Sequence, residues 1–483
     1  MKTFSKTHKP VFPALRWGEE YVSFDVSTVK HVVTGDELAD VCMVNAGIPR
    51  RDLLFKNKPS RWLDDFTSAQ LIQKLAQAGD LFFRGDVELI DGYTQSVDDF
   101  VKLLSGSTGL PESLCKLNME KIYYVMANTN GILKGLTRGL DSQVFDTGFL
   151  ELEGVPVCFY KQGEELAVIL PSNSPGVNAL WLPALAMKVP VVLKPGREDP
   201  WTPFRLVKAM IQAGIPKEAF CFYPTDHEGS EAIVQLSGRS IVFGGDATVK
   251  KYEHNPNVET HGTGRSKILI GDDEIENWRD HLDIMVKSIA ANGGRSCINT
   301  SCIVVPKYAD EIADALAEKL AQIEPRALED AEAGLSGFAN QAMPEWIDDT
   351  IQEGLKEPGA VDITQKFWNG KERRVSLQGL EYLRPTLIRC ESLEHPLGNT
   401  EYLFPYASVV EMPQNEMLSK IGFSLVVTAI TNHEEWKRDL LECLDIDRLN
   451  FGPVLTCVVE WEQPHEGNLF EFLFRRRALM KAG

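Results

Sequence analysis

The sequence predicts an α/β protein with two doubly wound parallel sheets, and two observations support this prediction. Between residues 166 and 243, short apolar runs typical of strands alternate with amphipathic runs typical of helices, and a second alternation begins near residue 267. Strands separated by helices pair in parallel, as β-α-β units of an open sheet whose ligands bind beyond the carboxyl ends of the strands. The 483 residues suffice for two or three domains with sizeable cores.

Each element is assigned from its apolar spacing and from the Gly or Pro residues that bound it. The first third of the chain is predicted to be largely helical, and the polar residues 161–165 between two strands predict a hairpin. Residues 324–337 and 366–374 are predicted surface loops, and the arginines at 475–477 a solvated helix end. The predicted elements are helices 66–78, 97–104, 179–187, 204–212, 228–236, 277–290 and 308–322, and strands 154–159, 166–170, 189–193, 220–223, 240–243, 267–270, 301–305 and 456–460.

Composition and charge exclude several classes of function. Lys and Arg number 50 against 69 Asp and Glu, a net charge of −19, which disfavours nucleic acid and anionic membranes as partners. Residues 1–18 contain no apolar run that could serve as a signal peptide, and no later stretch is apolar enough to span a bilayer, so we expect a cytoplasmic protein. The nine cysteines have no C-x-x-C spacing or neighbouring His cluster, so neither a metal site nor a disulfide framework is predicted.

Six short motifs follow one another along the middle of the chain. They are Pro171-Ser-Asn173-Ser-Pro175, Lys194-Pro-Gly-Arg197, Ser240-Ile-Val-Phe-Gly-Gly245-Asp246, His261-Gly-Thr-Gly-Arg265, Asn292-Gly-Gly-Arg-Ser-Cys297 and Glu401-Tyr-Leu-Phe-Pro405. Together they resemble, in order, the landmarks of the aldehyde dehydrogenase superfamily, and their details are most similar to its acyl-CoA reductase branch, which includes the fatty acyl reductases of bacterial bioluminescence. The resemblance covers about residues 166–401 and implies two sheet domains of the aldehyde dehydrogenase type with a small β element for oligomerisation.

The resemblance implies that Cys297 is the nucleophile and that the Asn173 amide donates into the oxyanion hole. A thiolate suits this chemistry because it both attacks a carbonyl and leaves from a thioester. An oxyanion donor contributes roughly 3 kcal/mol to the transition state. Asn173 read by itself is more typical of a helix cap in a Pro-bracketed turn, and it is the presence of Cys297 that favours the catalytic role. The other cysteines are expected to be packed as small apolar side chains, with Cys302 on the strand after the nucleophile.

For the cofactor, the resemblance places Lys194 on the adenosine ribose. Many NAD-preferring members carry a Glu three residues later, where this chain has Arg197. An Arg suits a 2′-phosphate, so NADP is the predicted cofactor, with NAD as the alternative. A register shift of one residue, which would place Glu198 there, reverses the preference, and both cations are also compatible with an ordinary solvated surface.

The remaining cofactor candidates are Gly245, Thr248 and Glu401. Gly245 resembles the turn under the pyrophosphate, where a glycine lets the backbone approach the phosphates. The family's Ser is replaced there by Asp246, whose charge repels a pyrophosphate. Glu401 resembles the Glu that binds the nicotinamide ribose, although Leu403 and Phe404 replace the usual Phe-Gly, so an exposed turn carboxylate is an open alternative.

His261 stands where hydrolytic members carry the Glu that activates water. Members without that Glu often pass the acyl group to or from coenzyme A, so the resemblance implies reduction of an acyl-CoA to an aldehyde, with coenzyme A as part of the substrate. His261 is a candidate base because an unperturbed imidazole has a pKa near neutrality, and a structural role is equally open. The alternatives are NAD(P)-dependent oxidation of an aldehyde to an acid, and a catalytically silent nucleotide-binding homologue.

The predicted domains follow from these assignments. Residues 1–153 and 166–265 form a cofactor-binding domain, residues 266–445 form the catalytic domain that carries Cys297, and residues 154–165 and 446–483 supply oligomerisation elements. The resemblance implies a homodimer or homotetramer.

Overall fold

The computed structural model describes residues 9–55 and 59–480. These residues form two compact units. The first comprises the described residues of Met1–Ser107, Cys115–Gly262 and Trp461–Gly483, and the second comprises Thr108–Leu114 and Thr263–Glu460.

The described residues contain strands from all parts of the chain. In chain order they are β1 Val11–Phe12, β2 Ala14–Arg16, β3 Glu19–Tyr21, β4 Val26–Lys30, β5 Glu37–Cys42, β6 Val87–Ile90, β7 Tyr93–Gln95, β8 Phe149–Leu152, β9 Val155–Lys161, β10 Leu166–Ile169, β11 Val191–Lys194, β12 Phe220–Phe222, β13 Arg239–Phe243, β14 Val258–His261, β15 Ser266–Ile270, β16 Thr300–Val305, β17 Ala360–Asp362, β18 Arg374–Leu377, β19 Leu380–Leu383, β20 Thr386–Cys390, β21 Tyr406–Glu411, β22 Ser424–Ile430, β23 Ile446–Phe451 and β24 Phe474–Arg477.

The α-helices lie between these strands, together with short 3₁₀ segments. In chain order they are α1 Gly47–Leu54, α2 Ser68–Arg84, α3 Val97–Thr108, α4 Glu112–Ala127, α5 Thr129–Leu136, α6 Val144–Thr147, α7 Pro183–Ala186, α8 Trp201–Gln212, α9 His227–Leu236, α10 Asp246–Tyr252, α11 Leu282–Ala290, α12 Ala309–Leu320, α13 Met343–Gly354, α14 Gln414–Lys420, α15 Glu434–Glu442 and α16 Leu469–Leu473.

The first unit is built on a seven-stranded sheet in the order β14-β13-β10-β11-β12-β2-β3. The five strands from β14 to β12 are parallel, and β2 and β3 add antiparallel edge strands. β10 is almost wholly apolar and buried, as expected for a central parallel strand that is covered on both faces. The predicted alternation between residues 166 and 243 is therefore confirmed.

The second unit is built on another seven-stranded sheet, in the order β17-β20-β21-β16-β15-β22-β23. All its strands are parallel except the edge strand β17. Two apolar clusters cover its faces, one around Met285 and Leu316 and one around Ile351 and Tyr406. Each unit thus contains a mainly parallel sheet, and the predicted α/β fold class is confirmed.

The predicted hairpin of residues 154–170 is wrong. β9 pairs with β8 and with β24 in a separate three-stranded sheet, while β10 lies between β11 and β13. The physical reason is that β10 is an apolar, buried strand whose two edges are both paired, with β11 and with β13, so it has no free edge for β9. The arginines at 475–477 consequently lie on a strand, not at a helix end, and residues 456–460 are not a strand.

The predicted helix 179–187 is interrupted. A 3₁₀ segment spans Pro175–Leu180, and α7 begins only at Pro183. Proline has no N–H to donate and is tolerated at the first helical position, so Pro183 starts a new short helix where the apolar pattern suggested a continuous one.

Within residues 9–55 and 59–480, none of the helices is both long enough and apolar enough to cross a membrane.

Candidate active site

The order of strands in the first unit places two of the sequence motifs at one point of the sheet. From β10 the chain proceeds to β11 and β12 on one side, and then returns to β13 and β14 on the other. Such a change of direction opens a crevice beyond the carboxyl ends of the strands. Asn173 follows β10 and Gly245 follows β13, so both come from loops at this position.

Asn173 lies in a segment whose neighbours are held by hydrogen bonds. The Ser172 hydroxyl accepts the Glu198 backbone N–H at 3.1 Å, and the Asn118 side-chain oxygen accepts the Gly176 N–H at 3.2 Å. Asn173 itself is half-buried. The Pro-x-Asn-x-Pro segment is therefore a supported loop and not the start of a regular α-helix.

Lys194 is the last residue of β11. Burial lowers the pKa of its ammonium, and the carboxylate of Glu198 partly opposes that effect. Arg197 is exposed. Arg197 and Glu198 are the two candidates for the family position that carries a Glu after this lysine. Of the two, Glu198 is the residue whose charge acts on Lys194.

Gly245 is the N-cap of α10, directly after β13. No heavy atom lies within 4 Å of the position that a side chain on Gly245 would occupy, so the turn offers open space to a ligand. Thr248 closes the same turn, since its N–H donates to the Gly245 carbonyl at 2.8 Å. Asp246 is the first residue of α10 and follows the Gly245 N-cap, so its carboxylate lies in the first turn of the helix.

His261 ends β14 and is enclosed by carboxylates. Nδ1 forms a short hydrogen bond with Glu466, and Nε2 lies 3.3 Å from the Glu259 carboxylate. Burial by itself lowers the pKa of this imidazole, but the charge of Glu466 and the hydrogen bonds to both carboxylates outweigh it and raise the pKa to about 10. His261 is therefore an imidazolium at neutral pH, and the near-neutral pKa expected from the sequence does not apply.

Cys297 lies in the second unit, on the loop between α11 and β16, and is half-buried. The loop turns through Asn292, Gly293 and Gly294, which have positive φ angles of 53°, 64° and 71°. Glycine adopts this conformation without strain. A side chain at Gly294 would also lie 2.2 Å from the backbone of Phe404, so both its φ angle and its surroundings require glycine.

Two polar side chains, those of Asn299 and Arg295, brace the loop that carries Cys297. The Asn299 amide donates to the carbonyls of Ser288 and Ala291, at 3.0 and 2.9 Å, and its oxygen accepts the Ser296 N–H. Arg295 is buried and donates to two backbone carbonyls, those of Thr108 and Gly337. The thiol is consequently carried by a loop whose backbone is held from several sides.

The segment before β15 supports the nucleophile from a different side. The Cα of Gly264 lies against Cys297, whose carbonyl accepts the Ser266 hydroxyl at 2.9 Å. The next residue, Arg265, donates its backbone N–H to the Glu401 carboxylate at 2.6 Å. The structure thus connects Cys297 and Glu401 through residues 264–266, at the amino ends of the central strands of this sheet.

Sequence reasoning missed several of these supporting residues. Glu466 and Glu259 change the charge of His261, and Ser266 and Arg265 hold Cys297 and Glu401. The carboxylate of Glu466 lies 205 residues from its partner along the chain, and no local spacing indicates the pairing. Ser266 and Arg265 were visible only as part of a glycine-rich motif.

Comparison with known proteins agrees with this architecture. The model of the aldehyde dehydrogenase family matches residues 165–421, more than half of the chain. The 5-carboxymethyl-2-hydroxymuconate semialdehyde dehydrogenase of Escherichia coli is 24% identical over 387 residues, 77% of each chain. A putative aldehyde dehydrogenase of Staphylococcus haemolyticus is 23% identical over 339 residues, 67% of each chain.

Solved structures share the fold over nearly the whole length. A mutant of the P. syringae AldA indole-3-acetaldehyde dehydrogenase, in complex with NAD+ and IAA, superposes with a TM-score of 0.79 at 16% identity and covers 98% of this chain and 97% of its own. The aldehyde dehydrogenase KauB from Pseudomonas aeruginosa gives a TM-score of 0.79 at 17% identity, with the same coverage. Because the family model matches more than half of the chain, including the loop that carries Cys297, the chain belongs to the aldehyde dehydrogenase family.

Proposed function

We propose that this chain is an NAD(P)-dependent oxidoreductase that oxidises an aldehyde to an acid through a thioacyl intermediate on Cys297. The observation that carries the proposal is the nucleophile loop: a half-buried thiol after three successive residues of positive φ, braced by Asn299 and Arg295. The matched relatives are named as dehydrogenases of aldehydes, which supports oxidation as the reaction.

In the proposed reaction the Cys297 thiolate adds to the aldehyde carbon, so that a C–S bond forms and the carbonyl oxygen becomes an oxyanion. The Asn173 amide is proposed to donate to that oxyanion. A bound NAD(P)+ would supply the acceptor for the hydride that the resulting carbon loses. Water then cleaves the thioester on Cys297: the acyl carbon takes the hydroxyl and the sulfur takes the proton, which releases the acid and regenerates the thiol.

The residues of the first sheet fit a dinucleotide. Lys194 offers an ammonium at the carboxyl end of β11, and the open space at Gly245 admits a phosphate beside the Thr248 turn. Glu401 is proposed to hold the nicotinamide ribose. For the adenosine ribose, Arg197 favours NADP, whereas Glu198, whose charge acts on Lys194, favours NAD because a carboxylate accepts from ribose hydroxyls.

A second candidate is reduction of an acyl-CoA to an aldehyde, with NADPH as the hydride source and coenzyme A as the leaving group. The observation that favours it is the charge of His261. An imidazolium with a pKa near 10 has no lone pair with which to take a proton from water at neutral pH. A thioacyl enzyme without an activated water is longer-lived, and exchange with coenzyme A then becomes its main fate.

The experiment is a spectrophotometric panel of NAD+, NADP+ and their reduced forms with aldehydes and acyl-CoAs, run on the wild type and on Cys297→Ala. We expect aldehyde-dependent reduction of the nucleotide and its loss by more than about 1,000-fold in the variant. Cys457→Ala, a half-buried cysteine packed in the same apolar cluster, is the matched control and should retain activity.

The products separate the candidates. An acid formed without coenzyme A supports the first, and consumption of NAD(P)H with an acyl-CoA supports the second. If Cys297→Ala is indistinguishable from the wild type with every substrate, both fail, and a silent nucleotide-binding homologue is the remaining explanation. Weaker binding of NAD+ to Glu198→Gln, or of NADP+ to Arg197→Ala, identifies the residue that selects the cofactor.

We further propose functional roles for the predicted domains. Residues 1–153 and 166–265 are assigned to the cofactor, residues 266–445 to covalent catalysis, and residues 154–165 and 446–483 to assembly of a homodimer or homotetramer. The small sheet β24-β9-β8 supports the last assignment, because Leu152 and Val155 on it are exposed apolar side chains.

A further inference from the structure

Lys267 is a charged side chain in the interior of the second unit. It is fully buried on β15, between Cys302 of β16 and Val427 of β22. Burying an ammonium is costly unless its N–H groups find acceptors. Here Nζ donates to the Arg265 carbonyl at 2.7 Å and to the Ser424 hydroxyl at 2.9 Å.

The residue that accepts this hydrogen bond is itself under constraint. Arg265 has a φ of 46°, a conformation that a non-glycine residue adopts only when its surroundings hold it there. Its carbonyl is held by Lys267 and its N–H by the Glu401 carboxylate. The backbone orientation of Arg265 therefore depends on two partners: Lys267, which donates to its carbonyl, and Glu401, which accepts its N–H.

The neighbours of Arg265 extend these constraints to the nucleophile. The Gly264 carbonyl accepts the Leu425 N–H at 2.8 Å, and the Gly264 Cα lies against the backbone of Cys297. The Ser266 hydroxyl donates to the Cys297 carbonyl. A change in the path of residues 264–266 would thus displace the backbone of Cys297 and the carboxylate of Glu401 together.

We propose that Lys267 is a positioning residue: its buried amine holds residues 264–266 in the conformation that places both Cys297 and Glu401. The assignment rests on the proposed function only for the roles of those two residues. A Met or Leu of similar size would fill the same space without the cost of burying a polar group, so packing alone does not account for a lysine here.

The charge state of Lys267 is consistent with this role. Burial lowers its pKa to about 8, while Cys302 and Glu401 act to raise it and Arg265 acts to lower it further. Both the ammonium and the neutral amine donate hydrogen bonds, so the link to the Arg265 carbonyl persists on either side of pH 8.

The test is Lys267→Met, with two measurements that need no turnover. The first is the rate at which iodoacetamide alkylates Cys297 in the folded protein, followed by peptide mass spectrometry. The second is the dissociation constant of NADH, measured by fluorescence. We expect the alkylation rate to change by about fivefold to tenfold and NADH to bind about tenfold more weakly, the scale of one lost hydrogen bond to each group.

Lys188→Met is the matched control, because Lys188 is also a buried lysine but is paired with Asp146 in the first unit. It should lower stability and leave both measurements unchanged. Wild-type alkylation and NADH binding in folded Lys267→Met would overturn the proposal. Should that variant not fold, Lys267→Gln is judged by the same two criteria, since its shorter side chain stays polar but does not reach the Arg265 carbonyl.

These readouts also separate the two proposals. If the wild type oxidises no aldehyde and reduces no acyl-CoA, the proposed function fails while the alkylation result still decides the role of Lys267.

Discussion

Gly264 offers a direct test of how closely the nucleophile loop is held. A Cβ added to Gly264 would lie 1.9 Å from the Cys297 carbonyl oxygen, 2.7 Å from its carbonyl carbon and 3.0 Å from its Cβ. Non-bonded carbon atoms pack at about 3.5 Å or more, so in Gly264→Ala the two backbones must separate by roughly 1.5 Å. The added methyl group meets backbone atoms of Cys297, and rotation of a side chain cannot relieve such a contact. The backbone of Cys297 itself must therefore move.

Both the rate and the stability are expected to change. Displacement of a catalytic group by about 1 Å costs on the order of 100-fold in rate, whereas one extra methyl group in a packed region costs about 1–3 kcal/mol of stability. We therefore expect kcat/KM of Gly264→Ala to fall about 100-fold while the protein still folds. The iodoacetamide alkylation rate of Cys297 should change in parallel.

The assay compares kcat/KM, alkylation and urea unfolding for Gly264→Ala and Gly334→Ala. Gly334 lies in the same unit, and an added methyl there meets nothing closer than 3.6 Å, so the control should behave as the wild type. If Gly264→Ala keeps wild-type kcat/KM and alkylation, the contact between residue 264 and Cys297 does not position the nucleophile.

Two further predictions concern His261 and assembly. His261 has its pKa raised from 6.5 to about 10, so its ion pairs contribute stability that is fully present below pH 6.5 and is lost as the pH rises through 10. Between these limits the free energy of unfolding of the wild type, measured with urea, should fall by up to about 1.4 kcal/mol per pH unit. Glu466→Gln should show a much weaker dependence on pH. Equal slopes for the two proteins would show that Glu466 does not set the charge of His261. Light scattering at micromolar concentration should give the mass of a dimer or tetramer. Val155→Asp places a charge on an exposed apolar position of β9 and should shift the measured mass toward that of the monomer. A monomeric wild type contradicts the assembly prediction.

The general rule for doubly wound folds does not predict which end of the second sheet carries the candidate site. That rule places ligands beyond the carboxyl ends of parallel strands, and it agrees with Asn173 and Gly245 in the first unit. In the second unit Cys297 precedes β16 and Gly264 precedes β15, so the nucleophile lies at the amino ends of the strands. The difference between the two sheets is nevertheless present in the sequence, because the cysteine motif comes before its strand whereas the Asn173 motif comes after its strand.

Local patterns were sufficient for much of the architecture and for the choice of Cys297 as the candidate nucleophile. Apolar periodicity depends on which face of each element is buried. It predicted β10, β11, β12 and β13 of the first sheet, β15 and β16 of the second, and the helices α2, α8, α9 and α12. The backbone before Cys297 has positive φ angles at Asn292, Gly293 and Gly294. Glycine adopts such angles without strain, so the Asn-Gly-Gly sequence indicates the turn without knowledge of the tertiary structure. The order of the motifs was sufficient for the family.

Pairings between distant residues were decided by the tertiary structure alone. Periodicity says that β9 and β10 are strands, but not that β10 is enclosed by β11 and β13 while β9 pairs with β24. In the same way His261 is visible as a titratable residue, yet its charge depends on Glu466, which only folding brings within hydrogen-bond distance. Electrostatic and hydrogen-bond energies depend on separation in space. The sequence therefore determined which residues are candidates for the chemistry, and the fold determined their charge, their support and their partners.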